Sequence, residues 1–197
     1  MERLAIRIIS SSNDFASLLL VGRCKTFWKK HGTGITNALQ SAAGLKFKHG
    51  ARVQVAYADD PDKIYSFHGS AGHPGKKAIS ITFARKNIPG TTTEHQLAYL
   101  LMHELGHRLL EQNGRTNKFD GDMSNESDLN EWHYREHLLL FAFLPQAIRA
   151  AFPLEFANRV LLYPETGYEG NTYPLARAWR ECAGHRITSA ATCSSHR

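Results

Sequence analysis

A chain of 197 residues, 42% hydrophobic and 21% charged, is long enough to bury one substantial core without disulfides, and its composition excludes a largely disordered protein. The net charge of +6 comes from scattered pairs such as Lys29 with Lys30, Lys46 with Lys48, Lys76 with Lys77 and Arg85 with Lys86. No dense basic block with interleaved aromatics appears, so nucleic-acid contact is allowed by the charge but not indicated, and a solvated surface accounts for it.

No apolar run reaches the roughly 18 residues of a membrane span. The opening "MERLAIRIIS" has an acidic second residue and no small-residue cleavage pattern, unlike a secretory signal. A cytoplasmic protein without a membrane partner is therefore expected. Cys24, Cys182 and Cys193 lie far apart, which indicates neither a disulfide framework nor a cysteine zinc site and fits a reducing compartment.

Residues 3–9, "RLAIRII", read as a short strand. Asn13 and Asp14 are capping candidates for a helix through "FASLLLVGRCKTFWKK", with a break expected at Gly32 and Gly34 and a second helix over "ITNALQSAAGLKF". "ARVQVAYA" and "AISITFAR" alternate like half-buried strands, and "KIYSFHG" is a weaker strand between them. A small sheet should thus precede the next helix.

That helix opens with "TTTE", read as a capping box of Thr91 with Glu94, and stops at Gly114. After the polar loop "RTNKFDGDMSNES", a capping pattern Asp128 to Glu131 introduces "NEWHYREHLLLFAFL", which should kink or end near Pro145. "QAIRAAF", "EFANRVLL" and "YPLARAWREC" supply further helical material. "TSAATCSSHR" reads as a frayed tail.

The stretch "LAYLLMHELGHRLLEQNG", Leu97 to Gly114, carries the chemistry. At about 100° per residue, His103 and His107 lie roughly 40° apart on one helical face, one turn apart, where two imidazoles can bind one ion. Leu97, Ala98, Leu101, Leu105 and Leu109 make the opposite, core-facing stripe. Glu104 falls about 100° from His103, beside the pair, placed to take a proton from an activated water as general base. Gly106 removes a side chain where a sheet or substrate can approach the helix closely. With 11 histidines and as many glutamates, chance supplies roughly 0.03 copies of this pattern in such a chain. Imidazoles in so apolar a helix also need partners.

"HELGH" at 103–107, on a capped helix preceded by an alternating strand, resembles the active-site helix of the zincins, zinc-dependent metallopeptidases. "HELGHRLL" followed by "EHLLLFAFLP" is similar to small intracellular gluzincins of the ImmA/IrrE type, with the departure that His137 follows Glu136 where a small residue is expected. The resemblance spans about residues 78–180. It implies an α+β, zincin-like single domain over residues 1–187, with a short mixed sheet packed on the HExxH helix and a second ligand-bearing helix, and a disordered tail over 188–197.

A catalytic zinc takes three protein ligands and keeps one position open. The candidates after His107 are Glu126, Glu131, His133, Glu136 and His137. Glu126 sits at a helix start, and Glu131 lies on the polar side of its helix with Arg135. The resemblance favours a glutamate, and Glu136 shares its face with Trp132, Leu140 and Phe143, where a buried carboxylate needs compensation. His137 is the alternative third ligand, and His133 lies between the two on the wheel. Oxyanion donors by residue type are Tyr163, Tyr168, Tyr173 and His185, then Arg177 or Arg180. The strand "AISITFAR" resembles the edge strand beside a zincin cleft, and through Ser80 and Thr82 it is a candidate to hold an extended peptide.

The expectation is a zinc metalloendopeptidase acting on a protein or peptide substrate, with Zn2+ held by His103, His107 and Glu136 (or His137) and Glu104 as base. The rival is a protein of the same fold that binds zinc, or a protein or DNA partner, without turnover. A SprT-like protease is disfavoured, since no histidine occurs from Arg108 to Trp132.

Overall fold

The computed structural model describes residues 4–10, 14–57, 78–83, 90–116, 121, 124–167 and 174–182. In chain order these form β1 (Ile6–Ser10), α1 (Phe15–Ala43), β2 (Ala51–Tyr57), β3 (Ala78–Phe83), α2 (Thr93–Gln112), α3 (Glu126–Phe141), α4 (Leu144–Ala151) and α5 (Leu154–Gly167). A further helical stretch covers residues 174–182. The class is mixed α and β, as expected. "KIYSFHG", Tyr168, Tyr173, His185, the tail and residues 117–120, 122 and 123 of the loop after Gly114 lie outside the described residues.

The sheet runs β1-β2-β3 and every described pairing is parallel, which corrects the expected mixed sheet. For β1 and β2 the cause lies in α1. A helix of 29 residues carries the chain from the end of β1 back to the start of β2, and a return crossover of that length makes a parallel pair where a short turn would make an antiparallel one. Ile8, Val53 and Ile79 stand in register across the three strands, as do Ser10, Val55 and Ile81. Val53, Val55, Ile79, Ile81 and Phe83 are buried, so this face is the one against which the helices pack. α1 covers β1 and β2, and α2 packs against β3.

α1 is a single helix, where a break at Gly32 and Gly34 was expected. Two glycines cost about 1 kcal/mol each against alanine, a loss outweighed by the packing of α1 on α4. Gly32 is buried, and a Cβ on Gly34 would stand in ordinary van der Waals contact, 3.8 Å from the Ala151 carbonyl oxygen of α4. Asp14 caps the start, accepting from the Ser17 amide at 2.8 Å. Gly44, at φ 65°, ends the helix in the left-handed conformation.

The start of α2 is shifted by one residue from the expected cap. Thr92, not Thr91, is the N-cap, and its reciprocal partner is His95, not Glu94: the Thr92 amide donates to Nδ1 of His95 at 2.9 Å. An imidazole nitrogen serves here as the acceptor that a capping-box carboxylate usually provides. The end is as expected at Gly114, φ 66°, where Gly114 donates to the Glu111 carbonyl at 3.0 Å and Arg115 to Leu110 at 2.9 Å, the paired bonds of a Schellman turn.

The cap of α3 falls three residues earlier than expected, at Asn125 rather than Asp128. Asn125 accepts from the Ser127 amide at 3.0 Å. The helix stops at Phe141, and Pro145 falls in the first turn of α4, where a missing amide proton costs nothing.

Candidate metal centre

α2 is buried all round rather than along one stripe: every residue from His95 to His107 is buried, with Leu109 and Leu110. The leucine face meets the sheet and core as the pattern requires. The histidine face is covered by α3. At the crossing Leu140, fully buried, lies against Gly106, and a Cβ there would stand only 2.4 Å from its Cδ1. Gly106 therefore sets how closely α3 approaches the two histidines.

That approach brings three imidazoles together. His103 Nε2 and His107 Nε2 are 3.3 Å apart, and His137 Nε2 from α3 lies 3.3 Å from each. The three residues are 3%, 8% and 6% exposed respectively. They form the one group of potential metal ligands among the described residues. Glu136, expected as the third ligand, is not a member of it. It is buried at 4% exposure, one turn before Leu140, on the stripe that packs beside Gly106. His137 lies about 100° further round, on the stripe of Phe141, whose ring stands 5.4 Å from His137 and 5.9 Å from His103. Both stripes meet α2, but it is the imidazole of the named alternative, His137, whose ring nitrogen joins those of His103 and His107.

Hydrogen bonds at the far ring nitrogens set the tautomers. Nδ1 of His137 lies 2.7 Å from the His133 carbonyl oxygen. A carbonyl can only accept, so Nδ1 carries the proton and Nε2 presents a lone pair. Nδ1 of His103 lies 3.2 Å from the Tyr99 hydroxyl, which can accept from it with the same result. Tyr99 sits one turn before His103 and is fully buried. Sequence reasoning did not single it out, although its spacing of four residues from His103 and eight from His107, on one face, was legible.

Burial holds all three imidazoles in the neutral form. His107 is pushed down to about 4 by burial first, then by the neighbouring His133. His103 and His137 are held well below the ordinary imidazole value, again chiefly by burial and then by the other histidines of the group, with the His133 hydrogen bond opposing at His137. The Nδ1 proton on His137 leaves its Nε2 as a lone pair facing the other two Nε2 atoms. Neutral nitrogens gathered this closely in a buried site are stabilised by a cation among them, and burial disfavours a proton in that role. The spacing fits a metal. Tetrahedral zinc with Zn–N bonds of about 2.05 Å places its nitrogens roughly 3.3–3.4 Å apart.

Glu104 is buried at 4% exposure, next to His103 on α2. His133, half-buried on α3, packs its ring 4.9 Å from that of Trp132 and supplies its carbonyl, not its imidazole, to the group. Glu126 is in the first turn of α3 and exposed. Glu131 is taken up by Arg135 at 2.9 Å and Arg177 at 3.9 Å. Arg177 lies over the Tyr134 ring at 4.0 Å, and Arg180 donates to the Ala176 carbonyl, so neither is directed to the histidines by these contacts. Tyr163 falls within α5. Ser80 and Thr82 are half-buried and alternate with Ile79, Ile81 and Phe83, which places them on the opposite face of β3. β3 is an edge strand among the described residues, so only its backbone, not these two side chains, is available for strand addition from that edge. Cys24 and Cys182 are free thiols, as expected.

No protein-family model, no curated protein and no solved structure matches this chain.

Proposed function

We propose that this protein is a zinc-dependent hydrolase of peptide bonds, with the metal held by His103, His107 and His137. The observation that carries the reading is the triangle of Nε2 atoms, each 3.3 Å from the other two, supplied by neutral imidazoles on two helices. Three protein ligands, not four, is the count of a site that keeps a position open for substrate chemistry. Imidazole also suits copper, nickel and iron; zinc is chosen because the side lengths match its tetrahedral bonds and because the pattern resembles the zincins. In this proposal the third ligand is a histidine where a gluzincin has a glutamate.

A zinc ion so bound supplies Lewis acidity, which activates water and polarises a carbonyl. The chain does the rest. Tyr99 and the His133 carbonyl hold His103 and His137 in the tautomer that directs Nε2 inward. Glu104 accepts the proton of the attacking water and delivers it to the departing amine nitrogen, so that the peptide bond breaks with no net change at the carboxylate. Phe141 and Leu140 keep bulk water from the histidine side of α2.

The test is metal content together with hydrolysis of an unfolded-protein substrate. Wild type should hold one zinc and cleave. Glu104→Gln should keep the zinc and lose turnover by about 10²–10⁴-fold, the usual contribution of a general base. Zinc without hydrolysis in the wild type gives the site to the rival role, metal binding without turnover. A wild type that binds no zinc on reconstitution ends the proposal.

A further inference from the structure

The histidine group leaves the outer face of α1 unexplained. Phe15, Leu18 and Leu19 are 76%, 52% and 55% exposed, and their spacing puts all three on one side of the first two turns. Further along that side stand Gly22, Thr26, Lys29 and Lys30, with Arg23 and Lys25 at its two edges, and all of these are exposed. From Phe15 to Ala43 the helix contains no Asp or Glu. The one carboxylate at its start, Asp14, is turned onto the Ser17 amide. Among the described residues Arg23, Lys25, Lys29 and Lys30 make no ion pair. An apolar tip is thus followed by cations of a single sign on a convex helix face.

We infer that this face docks on an anionic phospholipid surface, with Phe15, Leu18 and Leu19 entering the acyl boundary and Arg23, Lys25, Lys29 and Lys30 meeting the headgroup phosphates. Single-sign charge around an apolar tip is complementary to a lipid surface, which is uniformly negative and presents no groove. A second copy of this chain is the poorer occupant, because two such faces brought together oppose their own cations. No described helix is long and apolar enough to cross a membrane, so the contact is peripheral. The inference is independent of the metal centre.

The experiment is flotation of the full chain with vesicles of phosphatidylcholine alone or with about three-tenths phosphatidylserine. Wild type should float with the anionic vesicles only, and raising salt to about 0.5 M should weaken it. The double variants Leu18→Ser/Leu19→Ser and Lys29→Glu/Lys30→Glu should each cut partitioning at least about tenfold. All four positions are exposed, so the variants should keep the wild-type circular dichroism and unfolding temperature. Equal partitioning into neutral and anionic vesicles overturns the inference, as does binding that survives the serine pair. A concentration-dependent dimer abolished by the serine pair, with no flotation, gives the face to a second copy and overturns it equally.

Discussion

Nε2 of His107 and Nε2 of His137 lie 3.3 Å apart across 30 residues of sequence. Each belongs to a different helix, and α3 reaches α2 closely enough for this only because Gly106 has no side chain against Leu140. The three-histidine group is a property of the helix crossing as much as of the motif.

The first expected outcome separates the two neighbours on α3. His137→Ala should lower zinc affinity by at least about 100-fold, beyond the usual loss for an outer partner of a ligand. Glu136→Ala should leave the stoichiometry intact while destabilising the fold by about 1–3 kcal/mol, since a buried partner loses its bond. Zinc titration by competition with a chromophoric chelator, alongside chemical unfolding, measures both. The reverse pattern would restore Glu136 as ligand.

Tyr99→Phe removes one oxygen, 3.2 Å from Nδ1 of His103, and keeps the ring. Zinc affinity should drop about 10–100-fold, with stability falling by only about 1 kcal/mol. The absorption bands of a cobalt-substituted protein should shift as the His103 ring is released. An unchanged affinity and unchanged cobalt spectrum would show that the hydroxyl does not orient the ligand.

Gly106→Ala places a methyl group 2.4 Å from Leu140 Cδ1 in a packed core. We expect a loss of about 1–3 kcal/mol from overpacking, with weakened zinc binding as α3 is pushed away from His107. Combining it with Leu140→Ala should be strongly non-additive, because the second change removes the colliding atom. Simple addition in urea unfolding would place the strain elsewhere.

The metal-free protein should lose stability on acidification through a defined window. An unfolded imidazole takes its proton near pH 6.5, whereas His107 in the fold takes it only at about 4. Between those values the unfolded state binds more protons, so stability is fully present above about pH 6.5 and falls as pH drops toward 4. His103 and His137 act in the same direction. Urea midpoints at pH of about 7.5 and about 5 should differ, and His137→Leu should flatten the difference. An equal pH dependence in wild type and variant would show that His137 contributes none of it.

By itself the sequence determined the local features. The alternation of Val53, Val55, Ile79 and Ile81 set the strands and their buried face, Gly114 set the end of α2, and the four-residue spacing set His103 and His107 on one side of it. These follow from periods of two and about 3.6, which any short segment carries in full. Three other features were decided by tertiary structure. Gly32 and Gly34 read as a break because glycine is a poor helix former, but packing on α4 is a property of two segments more than a hundred residues apart. The sheet read as mixed because strand direction is not written in a strand; for β1 and β2 the length of α1 and the route it takes impose it. Glu136 and His137 differ by one position, about 100° of helix rotation, and the resemblance to gluzincins together with the apolar neighbours of Glu136 favoured the carboxylate. Only the seating of α3 on α2 brings the His137 ring, and not the Glu136 carboxylate, into the group with His103 and His107, because how two helices meet is settled by how their surfaces fit together.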